Sequence, residues 1–387
     1  MKALILAAGR GTRVRPLTDR LPKPMIPVVN KPVMAFLVEH LRRCGVGQIM
    51  VNTSYLSPQI EAYFRDGLRF DVEMAYSFEG REENGRLIDE PLGSAGAIQK
   101  IHRHSRFFDE TFVVICGDAV IDLDLRELLR FHRERGALAT IALREVSAED
   151  VQHYGIVVRD EQGRITQFQE KPAPEQALSR LANTGIYIFE PEIVDSIPFD
   201  RPYDIGGELF PKLAAQGGLY GTTLSKPWQW LDIGRIGDFH EVTMKAMLGE
   251  INGFCMPGRE ILPGLWVGLN VRINPERCQI EGPVYIGGSA EVADGATLIG
   301  PVCIGAGAVV EADAHLERSV VLEYTRVGRG GYFDGKILGS NFCVSADGTV
   351  LDSSHTDIGW LFADARSDDL SLTDEQNEIL ALARRAA

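Results

Sequence analysis

The sequence predicts an α/β chain in two parts: a Rossmann-like mixed-sheet domain, then a hexapeptide-repeat parallel β-helix of the left-handed type. Three observations carry this. Apolar runs ending in glycine alternate with helical spacing up to about residue 245. From residue 280 an aliphatic side chain recurs every six positions. The length, 387 residues, is more than one hydrophobic core ordinarily serves.

The stretch from Lys2 to Ala8 is a continuous run that reads as a buried parallel strand. "KPVMAFLVEHLRRCGV" has helical spacing and a glycine stop at Gly45. "QIMVNTS" is the next strand, and "FVVICGD", residues 112–118, is another, ending in Gly-Asp. "GALATIALREV", "YGIVVRD" and "NTGIYIFEPEI" continue the strand signals.

The repeat comprises Ile280, Ile286, Val292, Leu298, Ile304, Val310, Leu316 and Leu322. From Ile286 onward a small aliphatic stands two positions before each: Val284, Ala290, Ala296, Val302, Ala308, Ala314 and Val320. Helices and flat sheets have no six-residue period; a triangular parallel β-helix has. The register is lost after Leu322, so regular coils are expected to end near "YTRVGRG". The expected boundaries are 1–245 for the α/β domain, 246–279 for a linker and first irregular coil, 280–345 for the β-helix and 346–387 for a tail. The tail carries a capping-box pattern, Thr373 to Gln376, and a short helix is expected there.

Forty basic residues against 54 acidic leave a net charge of -14, which argues against a nucleic-acid partner. Yet Met1 to Lys31 holds seven basic residues and one acid, Asp19. A basic loop in an acidic chain points to a small anionic ligand. No run approaches the roughly 18 apolar residues of a membrane span, so no membrane partner is expected. Cys44, Cys116, Cys255, Cys278, Cys303 and Cys343 show no CxxC pair and no metal spacing, as expected of reduced thiols in a cytoplasmic protein.

That loop reads "LAAGRGTRVRPLTDRLPKPM", residues 6–25. It is no dinucleotide fingerprint, since Val14 stands where the third glycine belongs, and no GK[ST] follows. Its placement after a strand and before a helix still suits phosphate. Gly9 and Gly11 let backbone amides approach an anion, Arg13 adds a bidentate contact, and Lys23 is stiffened between Pro22 and Pro24.

With "PKP" added, this stretch resembles the signature of the sugar-1-phosphate nucleotidylyltransferases, or NDP-sugar pyrophosphorylases. "LGSAGAI" (92–98), "CGDAVID" (116–122), "FQEKP" (168–172), "NTGIYIF" (183–189) and "WQWLDIG" (228–234) follow in the family's order. Within the family the chain is most similar to the cyanobacterial UDP-glucose pyrophosphorylases that carry a β-helix, down to the "DIGWLFADAR" ending. The resemblance implies attack of a sugar-1-phosphate on the α-phosphorus of an NTP, with release of pyrophosphate. It implies Mg²⁺ held by Asp118 and Asp232. Arg13 and Lys23 would hold the triphosphate, and Lys171 the sugar phosphate. Leu6, Ala7, Ala8, Gly9, Gly11, Thr12, Ile88 and Gly93 would line the nucleotide. Gly155, Glu170 and Asn183 would contact the sugar. Asp122 and Asp124 are expected to cap the helix starting near Leu125.

Two departures matter. Some branches carry a phosphate-binding arginine in the segment matching "YDIGGELFP"; here none lies within it, and Arg201 is just upstream. Phosphate binding then rests more heavily on Lys171. Pyrimidine-specific branches often carry glutamine, and guanylyl branches glutamate, five residues before Gly93; this chain has Ile88. That weakens the guanine case without establishing uracil, and Asp89 and Glu90 remain possible guanine acceptors. UTP with glucose-1-phosphate is the first expectation, with GTP and mannose-1-phosphate, or dTTP, as alternatives.

Other classes compete. A non-catalytic regulatory subunit that binds nucleotide sugar would have lost a metal aspartate or a phosphate lysine, and none is lost. An acyltransferase in the β-helix is disfavoured by its short run of about eight strands, with His315 the one histidine in the repeat. The β-helix is instead expected to serve homo-oligomerisation or regulation.

Overall fold

The computed structural model describes residues 1–199, 201–353 and 358–367. By contacts the chain divides into two units. The first is Met1–Thr12, Leu17–Ile26 and Pro32–Asp232; the second is Arg13–Pro16, Pro27–Lys31 and the chain from Ile233 on. The helix from Ile236, which the sequence reading placed at the end of the α/β domain, groups with the second unit.

The first unit is built, in chain order, from β1 (Lys2–Ala7), α1 (Val33–Arg43), β2 (Gln48–Thr53), α2 (Ser57–Phe64) and β3 (Glu73–Phe78). A hairpin follows, β4 (Gly80–Glu83) and β5 (Arg86–Asp89), then α3 (Ser94–Ser105), β6 (Phe112–Cys116), β7 (Ala119–Ile121) and α4 (Leu125–Arg135). The remainder is β8 (Ala139–Glu145), β9 (Gly155–Arg159), β10 (Ile165–Glu170), β11 (Leu181–Phe189), α5 (Phe210–Ala215), β12 (Leu219–Thr222) and β13 (Trp230–Asp232).

One mixed sheet organises the unit, in the order β10-β9-β11-β6-β1-β2-β3, with β8 and β12 joined through β11. β1 runs parallel to both β2 and β6, so its carboxyl end opens between two neighbours at Leu6↔Asn52 and Leu6↔Cys116. Alternation decides the packing. Ala3, Ile5, Val113 and Ile115 enter the core on one face, with Leu37 and Leu41 of α1; Leu4, Phe112 and Val114 enter the other, with Ile98 and Ile101 of α3. Burial on both faces explains why these strands read as unbroken apolar runs.

The second unit contains the β-helix, with three sheets as its faces. One runs from Arg259–Leu262 through Leu265–Val267, Val284–Ile286, Val302–Ile304, Val320–Val321 and Lys336–Leu338 to Phe342–Ser345 and Val350–Asp352. The second stacks Gln279–Glu281, Thr297–Ile299, His315–Glu317 and Tyr332–Asp334. The third stacks Glu291–Val292, Val309–Val310, Thr325–Val327 and Phe362–Asp364. The repeat aliphatics as far as Leu316 fill the interior. On the first face Tyr285, Cys303 and Val320, which alternate with the inward residues, are also buried, and α6 (Ile236–Met247) packs over strand Val302–Ile304.

One expectation needs correction. The coils do not end near "YTRVGRG": parallel strands continue through Tyr332–Asp334 and Lys336–Leu338. The reason is a shortened corner. Val284 pairs with Val302, eighteen residues on, whereas Cys303 pairs with Val320, seventeen on. The connection Glu317–Val320 is one residue shorter than Ile299–Cys303, with Arg318 at φ 44° taking the bend. The period therefore breaks while the stack continues, and Val321 rather than Leu322 belongs to the core. The helix expected in the tail from Thr373 lies outside the described residues. All six cysteines are unpaired. No helix among the described residues is long and apolar enough to cross a membrane.

Candidate active site

The site forms where β1 and β6 end. The Gly117 N–H donates to the Leu6 carbonyl at 2.9 Å, carrying the chain across the end of β1. A side-chain carbon at Gly117 would stand 3.0 Å from Ile5 Cγ2 and 3.2 Å from the Leu6 oxygen, so glycine suits this close crossing. The next residue is Asp118. Asp232 arrives from β13, which pairs antiparallel with β7 so that Asp232 lies opposite Ala119. A two-stranded ribbon thus brings together carboxylates more than a hundred residues apart in sequence. Asp122 secures the ribbon by accepting the Gln229 N–H at 2.5 Å, rather than capping α4. Asp124 is the cap, accepting the Arg126 N–H at 3.0 Å.

Lys23 completes the group. It is almost fully buried, and its ammonium is hydrogen-bonded to Asp118 Oδ2 and 3.9 Å from Asp232 Oδ1. Gly11 sits at φ 62°, and a side-chain carbon there would press on Lys23 Cβ at 3.1 Å and Thr18 Cγ2 at 3.0 Å. The Thr18 hydroxyl donates to the Gly11 carbonyl at 2.8 Å. The glycine loop and the lysine turn are thereby packed on each other. Nothing lies within 4 Å of a carbon placed on Gly9, which leaves that part of the loop open to a ligand. Burial, reinforced by the Asp118 and Asp232 charges, pushes the Cys116 thiol far up, so it is no nucleophile. Arg13 falls in the second unit, apart from Thr12.

A second group lines the end of β10. Lys171 is at φ 45°, its N–H donates to the Tyr154 carbonyl at 3.1 Å, and its ammonium pairs with Glu170 Oε1 at 2.8 Å. Left-handed backbone in a non-glycine residue marks a position held by its surroundings. Gly155 pairs with Glu170 across β9 and β10. A side-chain carbon there would overlap the Phe168 ring at 2.6 Å. The Asn183 amide donates to the Tyr187 hydroxyl at 3.1 Å and accepts the Gly185 N–H at 3.0 Å. Tyr154 and Trp230 rings meet at 4.9 Å, joining this wall to the strand that carries Asp232.

The loop before α3 forms a further wall. Gly93 is at φ 73°, and a side-chain carbon on it would lie 2.5 Å from the Tyr203 oxygen. That carbonyl accepts the Ala95 and Gly96 N–H groups, which closes the helix start to phosphate. Ile88 lies on β5 opposite Arg81, inside the β4–β5 hairpin. Asp89 pairs with Arg10 at 3.2 Å and Glu90 with Arg81. Arg201 pairs with Glu208 at 2.6 Å and lies over Tyr203.

Sequence reasoning missed Ser94 and Asp204, whose side chains bond at 2.8 Å and tie the Gly93 loop to the segment after Tyr203. It also missed Glu79, which is buried, accepts the Asn52 amide at 2.6 Å and the Leu92 N–H at 3.2 Å, and is raised in pKa first by burial. Ser94 stands in "LGSAGAI" and Asp204 in "YDIGGELFP", segments that were read for other residues, while Glu79 stands in no motif. A buried acid in "YSFEG" was the one available signal.

Comparison with known proteins adds to this geometry. The family described as nucleotidyl transferase matches residues 2–248. The chain is 50% identical to a UTP–glucose-1-phosphate uridylyltransferase of Synechocystis sp. over 95% of this chain and 94% of that protein. It is 32% identical to mannose-1-phosphate guanylyltransferase 1 of Arabidopsis thaliana, covering 88% and 86%. A solved UDP-glucose pyrophosphorylase complexed with UDP-glucose shares the fold at a TM-score of 0.53 and 24% identity, covering 62% of this chain and 96% of the other.

Proposed function

We propose, from the premise that this chain belongs to the nucleotidyl transferase family, that it transfers the uridylyl group of UTP to glucose-1-phosphate, giving UDP-glucose and pyrophosphate. The observation that carries the reading is the grouping of Lys23 with Asp118 and Asp232 at the carboxyl end of the central strands, where open α/β sheets bind ligands. The relative named for that reaction aligns along both parts of the chain.

The chemistry joins two anions. Unit charges about 4 Å apart repel by roughly 1 kcal/mol in water and about 4 kcal/mol at an effective dielectric of 20. Catalysis is then charge neutralisation and alignment, with no protein nucleophile. Lys23 supplies a fixed positive charge to the triphosphate, joined by the Gly9 and Gly11 amides. Lys171 receives the sugar phosphate beside Glu170 and Asn183. Asp118 and Asp232 fit Mg²⁺. Among the described residues no set of three His, Cys, Asp or Glu side chains is placed for a metal. A cation that takes few protein carboxylates and completes its shell with phosphate oxygens and water matches such a site. When bound it would withdraw charge from the α-phosphate.

UTP is favoured over GTP by the alignment of 95% of this chain to a relative named for UTP. Asp89 is paired with Arg10 and Glu90 with Arg81, and Ile88 offers no acceptor. Two further expectations belong to this proposal. The β-helix carries contacts between copies, and the enzyme works in the cytoplasm with its nucleotide and sugar phosphate pools. The test is a matrix of NTPs against sugar-1-phosphates, scored by Mg²⁺-dependent pyrophosphate release. The best rate is expected with UTP and glucose-1-phosphate. A best rate with GTP and mannose-1-phosphate would overturn the substrate choice, and no release with any pair would favour a non-catalytic binding protein.

A further inference from the structure

We propose that Glu79 is a positioning residue for base recognition: its carboxylate clamps the Gly93 loop to β2 beside Leu6 and so sets the gap in which the NTP base is read. This rests on the reading that Leu6, Ala7 and Gly93 line the nucleotide.

Glu79 follows β3 directly, and its N–H donates to the Thr53 carbonyl at 2.7 Å, extending the pairing past the end of β2. Its two carboxylate oxygens turn to different elements. Oε1 accepts the Asn52 amide at 2.6 Å, and Oε2 accepts the Leu92 N–H at 3.2 Å. Asn52 is the residue of β2 in register with Leu6 of β1, and Leu92 is the residue before Gly93. One side chain therefore joins both backbone stretches assigned to the base. The Glu79 carbonyl adds a further tie by accepting the Glu90 N–H at 3.1 Å, so the β4–β5 hairpin leaves and returns at the same residue.

Burial makes the clamp rigid. Glu79 and Asn52 are 5% and 2% exposed, and an acid is rarely buried to that degree without partners. Burial pushes the Glu79 carboxyl up in pKa, while the Asn52 and Leu92 hydrogen bonds and the Lys100 charge pull it down. Lys100 is itself held, its ammonium donating to the Phe78 carbonyl at 2.5 Å, one residue before Glu79. Gly80 permits the turn that follows, since a side-chain carbon there would overlap the Ile88 oxygen. Hydrogen bonds are stronger in a dry site, so the loop is fixed in one place. A base read by backbone N–H and C=O groups depends on the spacing of those groups, and a misplaced one is left unmatched. Glu79 need not touch the base: it acts through Asn52 and Leu92.

The competing role is fold stability alone. Steady-state kinetics on Glu79→Ala, Asn52→Ala, Glu79→Gln and His132→Gln, well below their melting temperatures, separate the two, with the wild type's best NTP as reference. The clamp predicts that Glu79→Ala and Asn52→Ala each raise the KM for that NTP by roughly tenfold or more, with sugar KM and kcat within about threefold. Their preference for it over the other NTPs should shrink, and the double variant should be little worse than the worse single one, because the two residues share one tie. Glu79→Gln keeps an acceptor for Leu92, and its NH2 can meet Asn52 Oδ1, which is buried without a partner among the described residues; its NTP KM should stay within about threefold of wild type. His132→Gln disturbs a buried hydrogen-bond network elsewhere and should leave NTP KM and base preference unchanged. Unchanged NTP KM and preference in Glu79→Ala would overturn the proposal. So would an equal rise in sugar KM, the same shift in His132→Gln, or a Glu79→Gln as impaired as Glu79→Ala. Should Glu79→Ala not fold, Asn52→Ala decides by the same outcomes. Calorimetric NTP binding, weakened in Asn52→Ala, reads the clamp without turnover. A wild type that binds an NTP but releases no pyrophosphate would sink the enzymatic reading alone.

Discussion

The Lys23 ammonium is hydrogen-bonded to the Asp118 carboxylate, so a cation proposed for the triphosphate and an acid proposed for the metal neutralise each other in the ligand-free chain. Asp118→Asn keeps the shape and removes the charge. Turnover should fall by about 100-fold or more, the scale of losing one electrostatic contact in a dry site. Circular dichroism and melting should stay close to wild type, since Asp118 is only partly buried. Wild-type-like rates would remove Asp118 from the mechanism.

Lys171 carries a cost that its charge must justify. Left-handed backbone in a non-glycine residue costs on the order of 1 kcal/mol or more. Its pairing with Glu170 is half-exposed and is worth little. Lys171→Gly should therefore melt no lower than wild type while activity drops about 100-fold, mostly through KM for the sugar phosphate. A variant that loses stability and keeps its sugar KM would contradict the assignment.

Gly93 tests the loop before α3. Alanine there meets both an unfavourable φ and the Tyr203 carbonyl. Gly93→Ala should lower unfolding stability by about 1–3 kcal/mol and raise the NTP KM more than the sugar KM. Denaturant melts with paired kinetics are the readout, and an unchanged NTP KM would separate this loop from nucleotide binding.

His132 gives a pH signature unrelated to catalysis. It is buried, with Nδ1 2.8 Å from Thr140 Oγ1 and Nε2 2.9 Å from Glu190 Oε1. Burial lowers its pKa, outweighing the pull of Glu190 upward. The folded state then binds fewer protons than the unfolded state below the ordinary histidine pKa of about 6.5. Stability from this group is present above that pH and is lost as pH falls through the folded-state pKa. Wild type should lose more melting temperature from pH 7 to pH 5 than His132→Gln does; equal slopes would assign the effect elsewhere, His40 being shifted in the same direction.

The sequence made the parts of the site legible more readily than their meeting. Asp118 and Asp232 stand in recognisable motifs, but the β7–β13 ribbon that joins them is a long-range pairing with no local pattern. Asp204 and Ser94 are 110 residues apart, and neither of the segments that hold them signals the pairing. Ile88 was read by its distance from Gly93, and the structure places it on a hairpin strand opposite Arg81, a pairing that the spacing did not suggest. The β-helix was legible while its coils kept one length and became illegible at a corner one residue short, because periodicity records spacing and the stack depends on pairing.

The strands that reverse direction at the ends of this stack have a consequence for assembly. A parallel coil ends in the same hydrogen-bonding edge that it uses internally, so a solenoid stopped there is a template for another copy. On one face both terminal pairings are antiparallel, Arg259–Leu262 at the start and Phe342–Asp352 at the finish; on another, Phe362–Asp364 closes the final coil in the same way. On these faces the edge of the parallel stack is already paired by a reversed strand of the same chain. Among the described residues, another coil added end to end would therefore meet a reversed strand first on two of the faces.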